Sequence, residues 1–166
     1  MPSKILQCFA PIIDKRSKVL ILGTMPGPTA LKKQEYYGFS GNHFWKIIQK
    51  FFDVEKLLTY QEKIQLIGHE RIALWDVFGS CERTGAADNA IQNTRLNPIL
   101  ELLRKYPNIQ TILLNGRTSE KTFHTHFKSI ATPAYYVPST SPAHAGLSFE
   151  KKYQLWKSAL TKALNP

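Results

Sequence analysis

Four short apolar runs, each followed by a glycine or proline turn and separated from the next by a helical pattern, limit how this chain can fold. They are "SKVLILG" (17–23), "RIALWDVF" (71–78), "IQTILLNG" (109–116) and "PAYYVP" (133–138). Strands apolar on both faces belong inside a layered domain, with helices covering each side. The segments between them supply those helices. "GNHFWKIIQKFF" (41–52) spaces Phe44, Ile47, Ile48, Phe51 and Phe52 along one helical face, with Asn42 where an N-cap would stand. "VEKLLTYQEKIQLIGHE" (54–70) reads as a helix ending near Gly68, and "NPILELLRKY", "RTSEKTFHTHF" and "LSFEKKYQLWKSALTKAL" as three more. "GSCERTGAADNAIQNT" (79–94) reads as a loop. Strand and helix in alternation imply βαβ units and a mostly parallel sheet with helices on both faces. In such folds ligands bind outside the carboxyl ends of the strands. Four loops, after Gly23, Phe78, Asn115 and Val137, are therefore expected to converge on one crevice.

The chain is 166 residues long, the size of one domain spanning 1–166, and 43% of it is hydrophobic. No run reaches the roughly 18–20 apolar residues of a membrane span. Asp14, Lys15 and Arg16 interrupt the first apolar stretch before any small-residue cleavage site, so a cytoplasmic location without membrane attachment is expected. Two cysteines, Cys8 and Cys81, are too few for a disulfide framework, a four-cysteine metal site or an iron–sulfur cluster. His124 and His126, two apart, would face different sides of a helix and not share a metal. Neither a metal nor another cofactor is expected.

Charge is more informative. Lys and Arg number 22 against 12 Asp and Glu, a net charge of +10. A balance this basic draws polyanions, phosphate backbones above all. The basic residues are scattered and form no tail, so they describe a folded basic face.

The loops carry the chemistry. "GTMPGP" (23–28) lacks the lysine and spacing of a phosphate-binding P-loop and the pattern of a dinucleotide fold; it is either a tight strand-to-helix turn or an anchor for an anion or base edge. Tyr36, Tyr37, Phe39, Phe44 and Trp45 fall within ten residues. Phe44 fits the helix's buried stripe. Tyr36, Tyr37 and Phe39, beside Gly38 and Gly41, lie in a stretch less suited to core packing, where flat rings could stack on an extracted nucleobase. "PSTSPAHAG" (138–146) holds Ser139, Thr140, Ser141 and His144, but no G-x-S-x-G elbow and no acid placed to orient the histidine. Its hydroxyls suit phosphate better than nucleophilic attack.

In this order the motifs resemble the uracil-DNA glycosylase superfamily. "GTMPGP" stands for the turn after the first strand and "PSTSPAHAG" for the loop after the last. "YYGFSGNHFW" resembles the aromatic-plus-N-x-F-W segment of the mismatch-specific branch, and "CERTGAADNAI" a Cys-x-Arg-x-Gly…Asp loop of related sequences. The resemblance implies a three-layer α/β/α sandwich around a four-stranded sheet. It also implies a monomeric enzyme that binds double- or single-stranded DNA and hydrolyses the N-glycosidic bond of a flipped, deaminated base without metal or cofactor. Carried over, Gly23, Met25, Pro26, Gly27, Tyr37 and Ser139 line the base pocket, with Tyr37 stacking on the base. Ser141, Pro142, Ala143 and His144 press into the duplex, with Gly116 and Arg117 beside them.

Met25 stands where uracil-excising branches have Asp or Asn, and a thioether neither deprotonates nor firmly holds water. A hypoxanthine-DNA glycosylase branch shares that lack and relies on the Asn of N-x-F-W, which Asn42 matches. Asn42 is therefore the expected catalytic group, as well as a candidate helix cap. Asp88 and Arg83 are further candidates, either functional or structuring their own loop. With no lysine in a signature position, the expected product is an intact abasic site. A catalytically silent nucleic-acid-binding module on the same fold is the alternative.

Overall fold

The structure, a computed structural model, describes residues 4–144 and 146–166. Residue 145, inside the last signature, lies outside the described residues. Four of the seven strands among the described residues form a parallel sheet: β2 (Val19–Gly23), β3 (Ile72–Asp76), β6 (Thr111–Asn115) and β7 (Ala134–Val137), in spatial order β3-β2-β6-β7. These are the four apolar runs of the sequence. Every residue of β2, β3 and β6 is buried, as strands covered on both faces require.

Alternation along β2 divides the core in two. Val19 and Ile21 face one side and pack with Phe44, Ile47 and Ile48 of α2 (Phe44–Phe51), Ile67 of α3 (Tyr60–His69), and Trp156 and Leu160 of α6 (Phe149–Leu164). Leu20 and Leu22 face the other side and meet Ile99 and Leu102 of α4 (Ile99–Lys105) and Phe123 of α5 (Arg117–His126). The result is the expected three-layer sandwich. The three fully buried α2 side chains each contribute roughly 1.5–3 kcal/mol relative to exposure, enough to fix that helix beneath the loop that precedes it.

Several local expectations differ from the structure. The segment 79–94 is not all loop: β4 (Phe78–Glu82) pairs antiparallel with β1 (Ile5–Gln7) on one side and with β5 (Gln92–Leu96) on the other, making a second, three-stranded sheet. The helix expected over 54–70 begins only at Tyr60. Thr59 accepts from Glu62 N–H while Glu62 accepts from Thr59 N–H, and this capping box starts the helix there. A short helix, α1 (Pro28–Lys33), follows the first turn, opened by Pro28. His43, not Asn42, is the residue capping α2; the Asn42 side chain instead accepts from Phe44 N–H at 2.9 Å. Tyr36 is core, only 4% exposed, and its hydroxyl donates to the Ala10 carbonyl at 2.8 Å.

Candidate active site

The order β3-β2-β6 places the reversal of strand order between the parallel strands β2 and β6, and the crevice outside their carboxyl ends is where this fold binds ligands. Three strands end there in residues with a purpose. β2 ends in Gly23, β3 in Asp76 and β6 in Asn115. A Cβ at Gly23 would stand 2.5 Å from Asp76 Oδ1 and 3.0 Å from the Tyr37 hydroxyl. Only glycine lets both polar groups close on that strand end.

Tyr37 holds a left-handed backbone at φ 54°, a conformation costing a side chain of this size about 1 kcal/mol or more. The turn separates it from its neighbour: Tyr36 goes into the core and Tyr37 over the strand ends. Its ring stacks on Phe44, centroids 4.0 Å apart and planes 25° apart. Its hydroxyl accepts from Asn115 Nδ2 at 3.2 Å. Burial first, and the nearby Asp76 carboxyl second, hold the phenol well above its ordinary range, so it keeps its proton.

Asn115 joins three segments. Besides Tyr37, its Nδ2 donates to Thr140 Oγ1 at 3.1 Å and its Oδ1 accepts from Thr140 N–H at 3.1 Å. The Thr140 carbonyl in turn accepts from His43 N–H at 2.9 Å. The aromatic–asparagine segment and the last signature loop are thereby fastened to the same strand end. Lys152 of α6, buried, lies 3.4 Å from His43 Nδ1. Burial, Lys152 and Lys46 keep the histidine below its usual pKa and so neutral at pH 7. Asn42 Oδ1 is engaged by Phe44 N–H, which turns the capping interaction into a way of orienting the amide; its NH2 is the group left to offer a ligand.

The last loop folds on its own hydroxyls. Ser141 N–H donates to Ser139 Oγ at 3.1 Å and Ala143 N–H to Ser141 Oγ at 3.2 Å, while Pro142 and Ala143 stand exposed. Gly116, at φ 97°, lies under this loop, where a Cβ would meet Ser139 Cβ at 3.1 Å. Arg117 is exposed beside it, its guanidinium 3.6 Å from the Tyr136 ring centroid and paired with Glu120 at 2.8 Å.

The structure thus brings Gly23, Tyr37, the Asn42–Phe44 turn, Gly116, Ser139 and Ser141 to one end of the sheet. Met25 turns away from it: 7% exposed, it packs among Leu22, Trp75 and Val77 on the α4–α5 side. Gly27 caps α1, and the Pro26 carbonyl accepts from Arg83 Nη2 at 2.7 Å. Asp88 opens a short helical turn, Asp88–Ala90, on the β4–β5 loop and stands exposed there.

Sequence reasoning missed Asp76 and Asn115. Asp76 is 4% exposed and its Oδ2 has no hydrogen-bond partner. Burial, and then the charge of Asp88, push its carboxyl up to about 7. The available signal was a polar residue closing a run of apolar ones, "IALWD" and "ILLN" alike. Among the described residues no three His, Cys, Asp or Glu side chains stand together as metal ligands, and no helix is long and apolar enough to cross a membrane.

Comparison with known proteins agrees with this architecture. A Methanosarcina barkeri protein named hypoxanthine DNA glycosylase is 34% identical over 114 residues, 68% of this chain and 72% of its own. One of the same name from Methanosarcina acetivorans is 30% identical over 152 residues, 90% of this chain and 94% of its own. A solution NMR structure of a Methanosarcina acetivorans protein, described as a candidate uracil DNA glycosylase, superposes with a TM-score of 0.83 at 27% identity, covering 96% of this chain and 99% of that one. The model of the uracil DNA glycosylase superfamily matches residues 10–165, and the chain belongs to that superfamily.

Proposed function

We propose that this protein is a monofunctional DNA glycosylase that hydrolyses the N-glycosidic bond of a flipped deaminated base, hypoxanthine in preference to uracil, and leaves an abasic site. The observation that carries the reading is the Tyr37 ring, backed by Phe44 and held over the strand ends beside the Asn42 turn. A ring fixed on one face offers the other to an extruded base, and stacking of this kind is indifferent to which base arrives. Hydrogen bonding then has to choose. The Asn42 NH2 is a donor, suited to a keto oxygen such as hypoxanthine O6, and adenine offers an amino group there instead.

Glycosidic cleavage passes through an oxocarbenium-like state, and an amide that stabilises the departing base lowers that barrier without acting as a base itself. The names of the two relatives support hypoxanthine over uracil. The net charge of +10 and the exposed Pro142–Ala143 tip fit a duplex substrate.

The test is base release from end-labelled duplexes carrying one hypoxanthine, uracil or xanthine, with alkali to cut abasic sites. Release at hypoxanthine is expected, and Asn42→Ala should abolish it while duplex affinity stays within a factor of about three. Release confined to uracil overturns the base assignment. Tight duplex binding with no release makes the protein a silent binder.

A further inference from the structure

We propose that His43 and Lys152 form a phosphate-binding site, in which the buried lysine fixes the histidine as a neutral ring whose outer Nε2–H donates to the DNA backbone beside the extruded nucleotide. The proposal deepens the glycosylase reading and rests on it for the identity of the polyanion.

Lys152 stands in the first turn of α6 and is only 1% exposed. An ammonium shut away from water costs free energy that an apolar side chain of the same length would not. The partner it finds there is His43 Nδ1, at 3.4 Å. Lysine ordinarily holds its proton up to 10.5 and histidine up to 6.5, so of these two bases the amine keeps the proton they compete for. An ammonium has three N–H donors and no acceptor. Nδ1 must therefore accept, and the ring's own hydrogen is on Nε2.

The ring is fixed in direction as well as in tautomer. His43 N–H donates to the Thr140 carbonyl at 2.9 Å, and the imidazole stands edge-on to Phe149, with centroids 5.2 Å apart and planes at 81°. These contacts leave Nε2 as the ring's one unengaged polar atom. Among the described residues nothing hydrogen-bonds it, and it is not one of the buried atoms that lack a partner, so it reaches solvent from a partly exposed residue.

Its position matches a backbone phosphate. His43 directly follows Asn42 and is tied through Thr140 to Asn115 at the end of β6. A base laid between the Tyr37 ring and the Asn42 amide carries its sugar and phosphates out over the rim that the Asn42 turn and the last loop share. The outer edge of His43 is on that rim. Lys46, exposed and one turn along α2, lies on the same helical face and adds positive charge there. Glu150 of α6 is taken by Lys50, 3.0 Å away. A hydrogen bond to an ionised phosphate is roughly twice as strong as one between neutral groups, and the Lys152 charge behind the ring strengthens it further.

Two measurements on the full chain test this. In long-range proton–nitrogen spectra of free wild type at pH 7, His43 should show a protonated Nε2 and an unprotonated Nδ1. Lys152→Met should replace that pattern with exchange between the two tautomers, a change that a merely structural lysine would not cause. A protonated Nδ1 in wild type overturns the proposal, as does an unaltered pattern in Lys152→Met. The wild-type spectrum decides the tautomer even where the variant does not fold. The second measurement is affinity for duplexes with a tetrahydrofuran abasic site, in which each phosphate flanking the site is replaced in turn by a neutral methylphosphonate. Wild type should lose about tenfold at one of these positions. His43→Phe keeps a ring against Phe149; it should bind the unmodified duplex about tenfold more weakly and be indifferent to the methylphosphonate at that same position. A variant as sensitive as wild type at every flanking phosphate overturns the contact, and so does a variant that binds the unmodified duplex as tightly as wild type. Wild type that binds these duplexes with the expected phosphate dependence but releases no base counts against the glycosylase reading alone. Failure of wild type to bind them overturns both.

Discussion

Tyr37 lies on Phe44 with ring centroids 4.0 Å apart, while its hydroxyl reaches Asn115 at the end of β6. One side chain thus spans from the first residue of α2 to the centre of the sheet. Phe44 is fully buried, so the ring above it has a rigid support. The left-handed backbone at Tyr37 is the local cost of that placement, and Asn115 is what holds it. A side chain stays in such a conformation only where its surroundings over-determine it, and Phe44 and Asn115 supply those contacts here.

Removing the ring and removing only the hydroxyl should therefore have different consequences. Tyr37→Ala deletes the stacking surface and should weaken binding to a duplex containing the excised base by about 1–3 kcal/mol. Tyr37→Phe keeps the surface and loses one neutral hydrogen bond, worth about 1 kcal/mol in folding stability. Fluorescence titration with damaged and undamaged duplexes, beside thermal melts, separates the two. If alanine binds damaged duplex as tightly as wild type, Tyr37 is not the stacking ring.

Gly23 should not tolerate alanine, for a reason specific to two partners. The added methyl would meet Asp76 Oδ1 at 2.5 Å and the Tyr37 hydroxyl at 3.0 Å, both at the floor of the crevice. Overpacking of this kind costs about 1–3 kcal/mol, and here it would also displace the stacking ring. Asp76→Ala removes the closer obstacle. A double-mutant cycle on denaturation midpoints should show Gly23→Ala costing less in the Asp76→Ala background than alone. Additive effects would mean the methyl is accommodated by backbone movement.

The parallel sheet was legible because its strands are apolar runs, and apolar runs are what a doubly covered sheet demands. The second sheet was not. All five residues of β5, "QNTRL", are exposed and show no alternation, and β4 mixes small and polar residues. Their pairing with each other and with β1 is a property of the assembled chain, invisible in any window of sequence. The site divides the same way. Gly23, Tyr37 and Asn42 stand in motifs with unusual residue types. Asp76 and Asn115 are the last residues of strands, and their importance comes from where the sheet ends. Tyr36 and Tyr37 are identical in type and adjacent, and only the backbone turn at 37 sends one inward and the other over the crevice.

The buried Asp76 makes stability depend on pH in a direction opposite to that of most aspartates. Its folded carboxyl holds its proton up to about pH 7, while the unfolded chain releases it near 3.8. The folded state therefore binds the extra proton between those values, and stability contributed by the neutral form is lost as pH rises through that window. Asp76→Asn mimics the neutral carboxyl at every pH. Its advantage over wild type should be near zero at pH 4 and grow to roughly 2–4 kcal/mol by pH 8. His43, held below its usual pKa, acts the other way, costing stability as pH falls, but it is common to both proteins and cancels in the difference. Urea unfolding of the pair at pH 4, 6 and 8 measures the effect directly. A stability difference that does not change with pH would mean that Asp76 is ionised in the folded protein, with a partner for Oδ2 supplied by solvent.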